Sequence, residues 1–107
     1  MSNVASLNDK SFKEFVETNR IAIVDFYADW CAPCKMMEPH FESLAGEMKD
    51  RAGFGRINVD ENRETAAKFG IMSIPTLIIF KDGRLVDRII GALPKQMIKE
   101  RLEKFLE

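Results

Sequence analysis

Apolar positions recur along the chain at a spacing that switches between two and nearly four, which predicts strands and helices in alternation. Residues 3–7 predict a short first strand. Asn8 is placed to cap a helix, with Asp9 in its positive first turn and Phe12, Phe15 and Val16 as its apolar stripe. Residues 21–28 (IAIVDFYA) are rich in Ile and Val and long enough to predict a central strand. The next helix is expected to begin at the cysteines, because Met37, Phe41, Leu44 and Met48 follow at helical spacing, and Pro39 inside it is expected to kink it. Residues 53–59 (GFGRINV) predict another strand, and Asp60 or Asn62 starts a short helix that Gly70 ends.

Residues 76–80 (TLIIF) are continuously apolar, so that strand is expected to be covered on both faces. Lys81-Asp82-Gly83-Arg84 is a turn signal between apolar runs and predicts a hairpin returning through 84–90. Pro94 suits the first turn of a last helix that faces Ile98, Leu102 and Phe105 inward. The element order implies an α/β fold whose sheet is parallel in one half and antiparallel in the other, with helices on both faces.

Composition narrows the function classes. The 107 residues suit a single domain, and with 46% hydrophobic residues and eight Phe they can fill a core. Charged residues make up 31% but nearly cancel, leaving a net charge of -1, and the basic ones are scattered. This argues against nucleic acid or an anionic membrane as partner. The first residues, MSNVASLNDKSF, lack the basic start and apolar core of a signal peptide, and no apolar run approaches the ~18 residues that span a bilayer. A cytosolic protein is expected, where a disulfide is more often catalytic or sensing than structural.

Both cysteines lie in DWCAPCK, residues 29–35, where the strand at 21–28 ends. With Cys31 at the helix N-cap, its sulfur faces unpaired N–H groups and the positive end of the helix dipole. Pro33 has no N–H, so the donor to that sulfur is expected to be the amide of Cys34. This favours the thiolate at Cys31, Lys35 adds a nearby positive charge, and that lysine either steers substrates or is simply solvated. Cys34 is three residues on, within disulfide reach, and is expected to be the less exposed sulfur. An exposed thiolate beside a shielded thiol suits exchange: Cys31 attacks a disulfide and Cys34 resolves the mixed disulfide. Three other readings stand beside this one. A structural disulfide closing so short a loop is worth only about 2 kcal/mol. Half a zinc site would need two further ligands, and the one histidine, His40, is expected on the opposite side of the helix, which leaves only a zinc or iron–sulfur site shared between two chains. Two inert core cysteines are the third.

The stretch VDFYADWCAPCKMMEP, with SIPTLIIFKDG and IIGA further on, resembles the thioredoxin family over nearly the whole chain. Trp-Cys-x-Pro-Cys-Lys followed some forty residues later by Ile-Pro-Thr is a far more specific signal than C-x-x-C alone. The resemblance implies the thioredoxin fold, a central five-stranded mixed sheet flanked by four helices. It also implies a protein-disulfide reductase that cycles between a Cys31/Cys34 dithiol and disulfide.

For Asp25, the residues alone allow a charge on an exposed face. The resemblance implies a buried carboxylate behind Cys34, raised in pKa by burial, which takes the Cys34 proton through a water. Arg56 matches a position where the family usually has lysine, and either favours the charged carboxylate or is solvated. For Pro75, the residues alone allow a proline that merely starts a strand; the resemblance implies a cis Ile74–Pro75 bond, with Pro75 covering the thiols and the Ile74 backbone offered to an extended substrate. The resemblance implies that Trp30, Ala32, Pro33, Ile74, Pro75, Ile90, Gly91 and Ala92 form an apolar substrate surface around Cys31, whereas the residues alone read Ile90 and Ala92 as ordinary strand positions.

Two departures from the family pattern stand out. Ala32 replaces the usual Gly, a change worth about 1 kcal/mol in a helix and hence roughly 20 mV if it favours one redox state. Tyr27 stands where a second tryptophan is common. No metal and no cofactor are expected on the chain, since no Gly-rich phosphate loop follows a strand. Electrons must then come from a partner, in this family a thioredoxin reductase that is NADPH- or ferredoxin-linked, and pass to disulfide-containing target proteins. A monomer is expected. Competing readings are a disulfide oxidase or isomerase, and a non-catalytic binding subunit that uses the same apolar patch.

Overall fold

Seven residues, Ile21–Tyr27, form the strand (β2) against which the other elements assemble, and all but Tyr27 are buried. The computed structural model describes residues 2–106. Among them, β1 (Val4–Leu7), α1 (Phe12–Thr18), β2, α2 (Ala32–Glu47), β3 (Gly53–Asn58), α3 (Arg63–Lys68), β4 (Thr76–Lys81), β5 (Arg84–Ile90) and α4 (Lys95–Glu103) follow in chain order. The sheet runs β1-β3-β2-β4-β5. Its first three strands are parallel, β4 pairs antiparallel with β2, and β5 pairs antiparallel with β4. This is the mixed five-stranded sheet with four helices that the sequence predicts.

Alternation along β2 splits the core in two. Ile21 and Ile23 point to the α2/α4 side and pack with Met37, Phe41, Leu44, Leu77, Ile79, Ile98 and Leu102. Ala22, Val24 and Phe26 point to the α1/α3 side, with Phe12, Val16, Ile57, Ile78 and Phe80. Leu77 to Phe80 are buried throughout, as expected of a strand covered on both faces. Asp25 is odd-numbered like Ile21 and Ile23, so it is directed into the α2 side.

The predicted boundaries hold to within a residue or so except at α1. The helix expected to start at Asn8 starts at Phe12, because Asn8 closes a turn of its own. Its Oδ1 accepts from the amides of Lys10 and Ser11, both at 2.9 Å. Asp9 serves a different helix. Its carboxylate accepts from the Thr65 amide at 2.9 Å and hydroxyl at 2.7 Å in the first turn of α3. The Thr65 hydroxyl, followed by its amide, holds Asp9 below the usual carboxylate pKa. Asn62 is the α3 N-cap residue, but its side chain is engaged with the Asn58 carbonyl and the Asp9 amide.

Gly70 ends α3 at φ +60, with the Ile71 amide reaching back to Ala66 at 3.0 Å. Asp82 and Gly83, both at positive φ, make the two-residue hairpin turn between β4 and β5. Pro94 is the N-cap of α4, one position before its first turn, and Phe105 packs from just beyond the helix end.

Candidate active site around the Cys31–Cys34 disulfide

β2 ends at Tyr27, and four residues, Ala28 to Cys31, carry the chain from the sheet to α2. Cys31 is the N-cap of α2 in extended conformation, and its Sγ accepts from the Cys34 amide at 3.2 Å. Proline at position 33 explains why this amide is the nearest available donor. Cys31 and Cys34 are joined in a disulfide with Cα atoms 5.3 Å apart. The expected asymmetry in exposure is not found in this oxidised pair, where Cys31 is 3% and Cys34 4% exposed. Each half-cystine covers the other, and Ala28, Tyr27, Val59 and Ile74 pack around both.

The segment carrying Pro75 closes one side. The Ile74–Pro75 bond is cis, as expected. Ile74 packs against the cysteine cluster, while Pro75 is buried and accepts from the Gly91 amide at 2.8 Å. That bond ties the end of β5 to the turn before β4, so Ile90, Gly91 and Ala92 lie beside Ile74. Gly91 has φ +97, a backbone region that disfavours side chains, and the space above it is open. Trp30 is 71% and Ile90 67% exposed, and Ala32, Pro33 and Ala92 are exposed as well. The residues predicted to form an apolar surface thus share one end of the fold.

Four residues at this end lie outside the predicted site. Met36 and Met72 are among the most exposed large apolar residues, at 74% and 96%. Asp60 accepts from the Trp30 indole N–H at 2.8 Å and so fixes that ring. Met36 also lines a groove of about 220 Å³ with Met37, His40, Ala92, Leu93 and Pro94. The fourth is Glu38. It lies four residues after Cys34, one helical turn on, and this spacing on α2 was the signal that could have identified it.

Asp25 is 3% exposed, and its Oδ1 has no hydrogen-bond partner. Burial pushes its carboxyl up to about 7, the Arg56 guanidinium pulls it down, and the Glu38 charge adds to the rise. Arg56 is its register partner on β3. The arginine is not solvated freely. Its Nη2 pairs with Glu38 Oε2 at 2.6 Å and its guanidinium stacks 4.2 Å from the Tyr27 ring centroid. Tyr27, Ala28, Asp29, Cys34, Lys35, Glu38 and Arg56 line a cleft of about 130 Å³ that reaches Cys34 from the side. Lys35 is therefore placed at this cleft, and Tyr27 supports the arginine.

The family model described as Thioredoxin matches residues 3–104. The chain is 47% identical over 103 residues to the thioredoxin of Staphylococcus haemolyticus (strain JCSC1435), covering 96% of this chain and 98% of that protein. It is 46% identical over 99 residues to thioredoxin 2 of Chlorobaculum tepidum, covering 92% and 91%. Among solved structures, a mutant thioredoxin from Halobacterium salinarum NRC-1 superposes with a TM-score of 0.91 at 32% identity, over 99% of this chain and 94% of that one. The oxidised form of mitochondrial thioredoxin 3 from Saccharomyces cerevisiae gives 0.86 at 33% identity, over 94% of both chains. A cysteine pair capping a helix at the end of a central strand, in a chain this similar to thioredoxins throughout, establishes that the protein belongs to the thioredoxin family and is a thiol–disulfide oxidoreductase that reduces protein disulfides.

Proposed function

We propose that Cys31 is the attacking thiol and Cys34 the resolving one, with Asp25 as the base that prepares Cys34. The observation that carries this assignment is the hydrogen bond from the Cys34 amide to Cys31 Sγ at the α2 N-terminus. In the reduced protein the same amide and the helix dipole stabilise a thiolate at Cys31. The Cys31 thiolate attacks one sulfur of a substrate disulfide, forming a mixed disulfide and releasing the other sulfur as thiolate. Asp25 accepts the Cys34 proton, and the Cys34 thiolate then attacks Cys31 Sγ. That step forms the Cys31–Cys34 disulfide and releases the second substrate thiolate, so two electrons pass to the substrate.

Around this chemistry, Trp30, Ala32, Pro33, Ile74, Pro75, Ile90, Gly91 and Ala92 bind the target as an extended segment. Strand-like contacts run to the Ile74 backbone. Lys35 steers the incoming chain. A thioredoxin reductase, NADPH- or ferredoxin-linked, returns two electrons to the disulfide by the same steps in reverse. The chain acts as a monomeric, single-domain electron carrier in the cytoplasm. No helix among the described residues is long and apolar enough to cross a membrane.

Trapping tests the assignment. Cys34→Ser is expected to accumulate mixed disulfides with target proteins through Cys31, released by added reductant and separable on a non-reducing gel. A greater yield from Cys31→Ser than from Cys34→Ser would reverse the two roles.

A further inference from the structure

The Asp25 carboxylate and the Arg56 guanidinium are register partners on adjacent strands and extend to the same face of the sheet, yet they do not pair. Asp25 Oδ1 and Arg56 Nε are both buried and both lack a hydrogen-bond partner. A buried acceptor and a buried donor of opposite charge, side by side and each unsatisfied, call for something that holds them apart. Two contacts do so. Glu38 Oε2 binds Arg56 Nη2 at 2.6 Å, and the Tyr27 ring supports the guanidinium plane at 4.2 Å. Both draw the cation toward the wall of the cleft beside Cys34.

We propose that Glu38 is a positioning residue of the reduction cycle, holding Arg56 against Tyr27 and off Asp25 so that the Asp25 carboxylate remains available to Cys34. The inference rests on the reading of Asp25 as base but concerns a different residue. An arginine released from Glu38 would turn its fork onto Asp25, with which it can form a charge-assisted pair. A carboxylate held that way is a weaker base and has no free oxygen for the Cys34 proton.

The charged and titratable groups around Asp25 are few. β3 supplies Arg56, and α2 supplies Glu38, Lys35 and Cys34. β2 and the loop after it supply Tyr27 and Asp29. The β4 register partner of Asp25 is Leu77, and α4 presents Ile98 and Leu102 to this layer. With Glu38 neutral, both the lost negative charge and the freed arginine favour the ionised form of Asp25, so the two effects share one sign.

The test is a carbon-13 NMR titration of the Asp25 carboxyl in the oxidised full chain, for the wild type, Glu38→Gln, Arg56→Gln and the double variant. Glu38→Gln is expected to move the Asp25 midpoint down by about one pH unit. In the Arg56→Gln background the same change is expected to move it by less than half as much, because no cation is left to release. A midpoint that stays or rises in Glu38→Gln overturns the proposal. So does an undiminished fall in the Arg56→Gln background, which would make Glu38 a bare charge rather than a tether. The titration reads Asp25 whether or not it deprotonates Cys34, so it fails separately from the base assignment. If that assignment stands, the pH profile of mixed-disulfide resolution shifts in the same direction in Glu38→Gln.

Discussion

Cys31→Ser is expected to lower disulfide reduction at least about 10³-fold, to the background of the assay, while leaving the fold intact. A serine hydroxyl at the α2 N-cap can still accept from the Cys34 amide, since serine is among the preferred residues there. Structure is therefore kept while the nucleophile is lost. The remaining thiol does not substitute for it. Cys34 lies within the first turn of α2, and the capping amide is its own and donates to the sulfur at position 31. An insulin-type reduction assay with unchanged circular dichroism checks this. Activity within tenfold of wild type would mean that Cys34 can initiate exchange by itself.

Asp25→Asn is expected to slow release of the mixed disulfide by roughly 10²-fold and to affect its formation much less. Stopped-flow measurement of the two steps separates them, and equal slowing of both would count against a role confined to Cys34. In the wild type the resolving step is expected to accelerate as pH rises through about 7, where the Asp25 carboxyl ionises. The variant lacks that rise. The same buried carboxyl makes a stability prediction. Its pKa in the fold is raised above the ordinary value, so its contribution is fully present below about pH 4 and is lost as pH rises through about 7. Over that window the stability of the wild type relative to Asp25→Asn is expected to fall by on the order of 4 kcal/mol. Urea unfolding of both oxidised proteins across the window measures it. A difference independent of pH would mean that Asp25 is ionised in the fold at all these values.

Much of this site was legible in the chain because local rules determine it. The cap at Cys31, the donor at Cys34 and the strand end before them follow from a proline, a cysteine spacing and an apolar run. The hairpin at Asp82-Gly83 and the end of α3 at Gly70 likewise need only a few adjacent residues. Asp25 and Arg56 were ambiguous because burial of a charge depends on what covers it, and the cover comes from α2, a different part of the chain. For Asp25 only the resemblance separated the buried reading from the exposed one, and for Arg56 both readings stood until α2 was placed over it. Glu38 was missed for a related reason. Its partner lies on β3, and a glutamate on a helix surface looks solvated until that strand is placed beneath it. Asp9 shows the converse, since a residue that suits the start of α1 by position caps α3 through a contact 56 residues away. The even burial of the two cysteines was not readable either, because it arises from Val59 and Ile74 arriving over the disulfide.

The decisive measurement is the titration of the individual thiols in the reduced protein, followed by carbon-13 labelling of each cysteine. One midpoint well below the roughly 8.5 of a free cysteine, assigned to Cys31, with Cys34 titrating higher, is the expected result. Two ordinary midpoints, or a low one that belongs to Cys34, would contradict the stabilisation of a Cys31 thiolate by the α2 N-terminus.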